Sequence, residues 1–155
     1  MNFKEIERRF LVKNLDFIKS HKSFNIKQAY LKIEKNYALR IRLISNKSYI
    51  TLKKTDSKIT RHEFEFPISM DTADYLISNY VIGSTINKKR YVIHCHGMMW
   101  EIDQFFGDNQ GLIIAEIELE DENQKFTKPN WIHKEISLDH RYLNCNLAIK
   151  PFNSW

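Results

Sequence analysis

The sequence predicts a mostly β fold of the α+β type, an antiparallel barrel of eight or nine strands with a few flanking helices. Segments in which charged and apolar residues alternate recur from one end of the chain to the other, and a period of two is typical of β-strands. Helical periodicity is scarce. No linker, repeat or low-complexity tract divides the 155 residues, so we expect one domain over residues 1–155.

Nine segments carry the alternation and are predicted as strands. They are residues 4–12, 27–34, 37–44, 48–54, 61–68, 88–95, 97–104, 112–120 and 132–138. One helix is predicted over residues 69–80, where the apolar residues share a face and Ser69 or Asp71 can serve as the N-terminal cap. A short, weak helical pattern covers residues 14–20.

Composition excludes several classes of protein. Hydrophobic residues make up 43% and charged residues 28% of the chain, which is typical of a globular domain and not of a disordered one. The two cysteines, Cys95 and Cys145, are too few for a disulfide framework, so a reducing compartment is expected. The first ten residues do not resemble a signal peptide, and no apolar run approaches 18 residues. We therefore expect a cytoplasmic protein that does not cross a membrane.

Charge is distributed unevenly along the chain. The first 100 residues contain 19 Lys and Arg against 9 Asp and Glu, whereas residues 101–155 contain 5 against 10. A basic half indicates an anionic partner. The four glycines do not fit a phosphate-binding loop motif, so a phosphate ligand would have to be bound by side-chain cations.

Alternation allows two barrel geometries. In one, the charged face of each strand meets water and the apolar face forms a central core. In the other, the charged face lines the interior and the apolar face is covered from outside. A barrel of about eight strands has a narrow interior, where both signs of charge are costly unless they pair or hold an ionic ligand. From physics alone we expect the first geometry.

The charged residues also recur in short i, i+2 units, a spacing that places both side chains on one face of a strand. The units are Glu5-x-Glu7-x-Arg9, Arg40-x-Arg42, Thr51-x-Lys53, Arg61-x-Glu63-x-Glu65, Lys88-x-Arg90, Glu101-x-Asp103 and Glu116-x-Glu118. Two like charges about 4 Å apart repel by about 4 kcal/mol at an effective dielectric constant of 20. Bound metal ions and phosphate would relieve that repulsion, because carboxylates bind Mg²⁺ or Mn²⁺ and Arg and Lys bind phosphate.

These units resemble the motifs of the CYTH domain proteins, also called triphosphate tunnel metalloenzymes, in their compact bacterial form. The opening EIERRFLV is similar to that family's E-x-E-x-K strand, and RIR, TLKK, RHEFEF, KKRY, WEID and AEIELE follow in the family's order. The resemblance covers nearly the whole chain. It implies an eight-stranded antiparallel barrel with a charged tunnel, which is the second of the two geometries.

The resemblance also implies a function and a set of site residues. It implies a metal-dependent hydrolase of triphosphate or polyphosphate compounds, most simply an inorganic tripolyphosphatase in which water attacks the terminal phosphoryl group in line. The implied metal ligands, for Mg²⁺ or Mn²⁺, are Glu5, Glu7, Glu63, Glu65, Asp103, Glu116 and Glu118. The implied substrate-binding residues are Arg40, Arg42, Lys53, Arg61, Lys88 and Arg90. Residues expected to act directly in catalysis are Glu5, Glu7, Arg9, Lys53 and Lys88.

Alternatives remain open at this stage. Arg9 stands where the family usually has Lys, and Arg is planar and bulkier and gives up a proton less readily. The same motifs are compatible with a class IV adenylate cyclase, a nucleoside or thiamine triphosphatase, or a non-catalytic module that binds polyphosphate or triphosphate. Nucleic acid is not the expected partner, and a homodimer is allowed.

Overall fold

Eight strands pair edge to edge and close into an antiparallel barrel. The structure is a computed structural model that describes residues 3–18, 21–57 and 59–155. Around the barrel the strands are β1 (Lys4–Val12), β8 (Ile113–Glu118), β7 (Met98–Phe106), β6 (Ile82–Cys95), β2 (Ser23–Ile33), β3 (Tyr37–Ile44), β4 (Lys47–Thr55) and β5 (Thr60–Ile68). Pairing of β5 with β1 closes the ring, and an extra strand, β9 (Ile132–Glu135), lies beside the second half of β1. The predicted mostly β barrel is confirmed.

Two strands are longer than the alternation predicts. β2 begins at Ser23 instead of residue 27, and β6 begins at Ile82 instead of residue 88. Each added segment pairs with the other strand, since Ser23 lies opposite Tyr91 and Ile82 lies opposite Tyr30. Backbone hydrogen bonds therefore extend these two strands through residues that do not alternate between charged and apolar side chains.

The last predicted strand is shorter than expected. β9 ends at Glu135, three residues before the predicted boundary. A turn follows at once, because the backbone N–H of Asp139 donates to the carbonyl oxygen of Ile136 at 3.0 Å. This turn leads the chain away from β1.

The predicted helix is present as α1 (Met70–Tyr80), and its cap is Ser69, whose hydroxyl accepts a hydrogen bond from the N–H of Thr72 at 3.1 Å. It packs on the outer face of β3 and β4. Within the weak pattern at residues 14–20, Asp16–Ile18 forms a 3₁₀ turn, while residues 19 and 20 lie outside the described ranges. A short second helix, α2 (Asn144–Ile149), follows β9. None of the helices described could span a membrane.

The barrel wall is apolar on its outer side. Ile6 and Phe10 of β1, Ile102 of β7 and Ile117 of β8 are almost completely buried in one cluster. Their strand neighbours at odd offsets are the charged residues of the i, i+2 units. The charged faces therefore point inward, and the expectation from physics alone that they meet water is wrong.

Aromatic residues from the chain after β8 cover this outer face. The ring of Trp100 on β7 is fully buried and meets the rings of Phe126 and Trp131 edge to face, with centroids 5.7 and 5.3 Å apart. Phe10 packs against the same tryptophan at 5.8 Å. The main hydrophobic core thus lies between the barrel wall and its covering segments.

Helix α2 lies unusually close to the wall at Gly83 of β6. A Cβ atom at this position would be 2.3 Å from the carbonyl oxygen of Ala148 in α2, and the backbone has φ of +70°. The short distance to Ala148 and the positive φ both require glycine at this position. The contact lies at the end of α2, and the first turn of the helix, residues 144–146, faces the interior of the barrel.

Candidate active site

The charged side chains surround an internal cavity of about 550 Å³. Because alternate residues of a strand share a face, both members of most i, i+2 units reach it. The predicted site residues that line the cavity are Glu5, Glu7, Arg9, Arg40, Arg42, Lys53, Arg61, Glu63, Lys88, Arg90, Glu116 and Glu118. Glu65 and Asp103 do not line it, although they pair with Arg42 and Arg90, which do.

Three adjacent strands bring carboxylates together on one side of the cavity. Glu7 of β1 lies opposite Glu118 of β8, and Glu101 of β7 lies opposite Glu116 of β8. Like charges directly opposite each other destabilise a sheet. This side of the barrel is therefore stable only when positive charge is supplied to it.

Part of that negative charge remains uncompensated. Among the residues described, no cation lies within ion-pair distance of Glu118, and burial together with the charges of Glu101 and Glu7 raises the pKa of Glu118. Burial and the charge of Glu7 likewise raise the pKa of Glu116. A raised carboxyl pKa is the sign of an environment that disfavours the anion.

The donor set on this side fits a hard divalent cation. Oxygen ligands from carboxylates are those that Mg²⁺ and Mn²⁺ prefer, and a cation here would relieve the repulsion among the facing glutamates. The side chains as they stand are turned toward other partners: within the described ranges, no three His, Cys, Asp or Glu residues converge as a ready-made metal site.

Cations from β4, β5 and β6 are the present partners of several of these carboxylates. The Lys53 ammonium lies 2.9 Å from Glu5 and also pairs with Glu63. Arg61 pairs with Glu7. Together with Arg9, these cations hold the pKa of Glu7 well below its ordinary value, although burial acts in the opposite direction.

Three arginines that line the cavity have unused hydrogen-bond donors. The Nε–H groups of Arg9, Arg40 and Arg42 are buried and have no hydrogen-bond partner. Buried donors without partners are rare and costly in native proteins. Because the same three arginines line the cavity, they present positive charge that suits an anionic ligand with several oxygen atoms, such as a chain of phosphates.

Asp103 anchors the cations on the β6 side. Its carboxylate is 1% exposed and accepts hydrogen bonds from Lys88 at 2.5 Å and from Arg90 Nε and Nη2 at 2.6 Å each. Burial alone would raise the pKa of Asp103, but Arg90 and Lys88 outweigh it and lower the pKa to about 2. Both oxygens are thus occupied by protein cations, which makes Asp103 a counter-ion beneath the cavity surface.

Some cavity residues were not assigned a role from sequence. Glu101 lines the cavity whereas its unit partner Asp103 does not, and periodicity alone cannot distinguish the depth of two residues on one face. Gln28 and Tyr30 of β2 also line it. They carry no charge, so a search of the sequence for charged pairs does not find them.

Comparison with known proteins places this chain among triphosphate-cleaving relatives. The profile of the CYTH domain matches residues 4–146. Over 152 residues the chain is 39% identical to an inorganic triphosphatase of Acetivibrio thermocellus, covering 98% of this chain and 97% of the relative. It is 32% identical to an inorganic triphosphatase of Nitrosomonas europaea over 149 residues, which cover 94% of this chain and 97% of that relative. A crystal structure of an inorganic triphosphatase superimposes with a TM-score of 0.71 at 29% identity, covering 94% of this chain and 97% of that one.

Replacing Asp103 with Asn is expected to lower the free energy of unfolding by about 3–5 kcal/mol, because it leaves two buried cations without their shared counter-ion. The pKa of Asp103 in the folded state lies below the ordinary 3.8. Its stabilising effect is therefore present above about pH 4 and is lost as the pH falls toward 2. Urea denaturation at pH 7 and at stepwise lower pH measures both effects.

The matched control is Asp74→Asn on the exposed face of α1, which should change stability by about 0.5 kcal/mol or less. An Asp103→Asn protein as stable as this control at pH 7 would show that the carboxylate is not a required counter-ion.

Proposed function

The chain belongs to the CYTH domain family, and we propose that it is a metal-dependent hydrolase that releases the terminal phosphate from inorganic triphosphate. The observation that carries this proposal is the cavity in which three arginines hold unused donors beside facing carboxylates. The arginines suit a polyanion, and the facing carboxylates suit a divalent cation. The inorganic triphosphatases similar to this chain support the same substrate.

The cations bind and orient the phosphate chain. We assign this role to Arg40, Arg42, Lys53, Arg61, Lys88 and Arg90. They surround the cavity from four strands, so they can contact a linear triphosphate along its length. When a water attacks the terminal phosphorus in line, negative charge builds on the leaving oxygen, and fixed cations stabilise that charge without reorganising.

The carboxylates hold the metal ion. We assign Glu5, Glu7, Glu116 and Glu118 as its ligands, with Mg²⁺ or Mn²⁺ as the ion. When bound, such an ion supplies positive charge that polarises the phosphoryl group. Glu65 and Asp103 are better explained as counter-ions, because they lie behind the cavity surface.

Glu63 lines the cavity but is already shared among cations. Its carboxylate lies 3.3 Å from Arg40 and 3.8 Å from Arg42, and it also pairs with Lys53. These cations lower the pKa of Glu63 to about 2, against the effect of burial. We assign Glu63 to holding the three cations in position.

Substrate and metal bind together in this proposal. A triphosphate that contacts Lys53 and Arg61 displaces Glu5 and Glu7 from their present partners. The displaced carboxylates are then left with raised repulsion among themselves, which a divalent cation removes. Each ligand therefore favours the binding of the other.

The remaining features of the proposal concern partner and location. Nucleic acid is not proposed as a partner, because the arginines of β3 that enrich the basic half point into the cavity. The free cysteines Cys95 and Cys145 agree with a reducing cytoplasm. The homodimer stays a prediction that solution mass measurement can test.

The proposal predicts a specific pattern of phosphate release. We expect inorganic triphosphate to be hydrolysed with Mg²⁺ or Mn²⁺, faster than ATP, thiamine triphosphate or pyrophosphate, and not at all with EDTA. Phosphate assays across this panel, with cyclic AMP followed in the ATP samples, are the measurement. Cyclic AMP production would indicate a cyclase, and binding of triphosphate without turnover under any metal would indicate a binding module.

Glu118→Gln is expected to reduce kcat/KM for inorganic triphosphate by about 100-fold or more, because it removes a charged metal ligand and a unit of negative charge. Glu5→Gln should behave in the same way. Glu120→Gln is the control, since Glu120 lies two residues further along the chain and does not line the cavity. Full activity in both Glu118→Gln and Glu5→Gln would contradict the assignment of the carboxylates.

Arg9→Lys tests the departure from the usual family motif. The guanidinium of Arg9 is 3% exposed, donates from Nη2 to the carbonyl oxygen of Ser137 at 3.2 Å and lies 3.6 Å from Glu7. A lysine has a single nitrogen and cannot maintain both contacts and a free donor, so we expect KM for triphosphate to rise about tenfold. Steady-state kinetics measure this, and a large gain in kcat would show instead that Arg9 impairs turnover.

A further inference from the structure

One buried serine binds both the backbone and the side chain of Arg9. The N–H of Arg9 donates to the hydroxyl oxygen of Ser137 at 3.0 Å, and its Nη2 donates to the carbonyl oxygen of Ser137 at 3.2 Å. We propose that Ser137 is a positioning residue, which fixes the plane of the Arg9 guanidinium for contact with the phosphate chain. This inference rests on the proposed function, because it gives one cation of that site a residue that orients it.

The chain leaves the sheet just before Ser137. Strand β9 ends at Glu135, and its pairing with β1 is already irregular there. The N–H of Ile136 still donates to the carbonyl oxygen of Arg9 at 2.8 Å. The N–H of Arg9, in contrast, meets a side-chain hydroxyl instead of a backbone carbonyl. The Ser137 hydroxyl therefore replaces a backbone acceptor and holds the segment after β9 against Arg9.

A carboxylate sets the direction of the Ser137 hydroxyl. Its oxygen donates to Glu135 Oε1 at 2.8 Å, whereas the carbonyl oxygen of Arg9 lies farther away at 3.4 Å. Glu135 also accepts a hydrogen bond from Arg8 Nε at 2.8 Å. Arg8 and the Ser137 hydroxyl lower the pKa of Glu135, although burial acts in the opposite direction. An ionised carboxylate can only accept, so the hydroxyl proton points to Glu135 and a lone pair faces the Arg9 N–H.

The Arg9 guanidinium has one fixed end and one unused donor. Its side chain is 3% exposed and lines the cavity, and its Nε lies 3.6 Å from Glu7, which is beyond hydrogen-bond distance. The Nε–H has no hydrogen-bond partner. Because the guanidinium is planar, a bond from Nη2 to Ser137 restricts the directions of its other N–H groups. The Nε–H is therefore held in a set direction for a phosphate oxygen.

The two bonds of Ser137 are coupled because they belong to one residue. Ser137 is 3% exposed, so loss of its hydroxyl would leave the Arg9 N–H buried without an acceptor. Residue 137 would no longer be held beside β1, and its carbonyl oxygen would move with it. The guanidinium would then lose its fixed end. A binding group that must be ordered when the ligand arrives costs affinity.

Ser137→Ala tests the inference. We expect KM for inorganic triphosphate with Mg²⁺ to rise about fivefold, the effect of one ordinary hydrogen bond, while kcat changes less than twofold. The Kd for inorganic triphosphate, measured by titration calorimetry with EDTA to prevent turnover, should rise by a similar factor. Unchanged KM and Kd would overturn the inference.

Ser48→Ala is the matched control. Ser48 is also 3% exposed and donates its hydroxyl proton to the carbonyl oxygen of Ile68 at 2.8 Å, but it does not line the cavity. We expect both alanine variants to lower the melting temperature and only Ser137→Ala to raise KM and Kd. Equal rises in the two variants would contradict a specific role of Ser137.

Ser137→Thr keeps the hydroxyl and should keep KM within about twofold of the wild type. A fivefold rise in this variant would show that the hydroxyl is not the group that matters.

The Arg9→Lys background separates positioning from stability. A lysine has a single nitrogen and no plane to be fixed, so adding Ser137→Ala should change KM and Kd less than twofold there. The melting temperature should still fall, because the backbone N–H of residue 9 remains. A fivefold effect in both backgrounds would contradict the inference.

The same binding measurement distinguishes this inference from the proposed function. A wild type that binds triphosphate but never hydrolyses it defeats the proposed function, while the Kd values still test Ser137. A wild type that does not bind triphosphate defeats both.

Discussion

The structure depends on the pairing of opposite charges inside a narrow barrel. An isolated buried charge costs several kcal/mol even after relaxation, and this barrel turns at least seven cations inward. They are tolerated because the strand order places carboxylates beside them, as Asp103 lies between Lys88 and Arg90. The i, i+2 spacing therefore determines where charge lies as well as how the strands pack, because most strands place one or two charged side chains inside the barrel at a height fixed by their register.

A barrel that is charged inside needs its hydrophobic core elsewhere. The chain after β8 supplies it, since Phe126 and Trp131 cover Trp100 on the outer face of the wall. Helix α2 packs into a second buried cluster that includes Ile86, at a point of β6 where only the absence of a side chain on Gly83 allows its close approach. The segment that follows β8 is thus a covering layer, without which the apolar outer face around Trp100 would be exposed to water.

Period-two alternation predicted the strands, and helical periodicity predicted the helix, but the alternation could not assign the faces of the strands. A strand pattern is symmetric with respect to its two sides, so the same residues describe a barrel with charges outside or inside. The resemblance to a known family resolved that choice, and the charged side chains that line the cavity confirm it. The pattern also could not predict how deeply each charged side chain is buried. Glu101 and Asp103 share a face of their strand, yet Glu101 lines the cavity whereas Asp103 lies beneath Arg90. Gln28 and Tyr30 also line the cavity, but they are uncharged, so the search for charged pairs could not identify them.

The ion pairs of the cavity are arranged so that they can be exchanged. Lys53 and Arg61 neutralise Glu5 and Glu7 in the structure, but all four side chains reach the cavity surface, whereas Asp103 does not. The surface pairs can therefore open toward ligands while the pairs below keep Lys88 and Arg90 in place. In the proposed mechanism, phosphate compensates the cations and metal compensates the carboxylates when these pairs separate, so neither set of charges is left buried without a partner. A cavity built in this way favours neither ligand alone, and it accepts the combination that a metal-dependent triphosphatase requires.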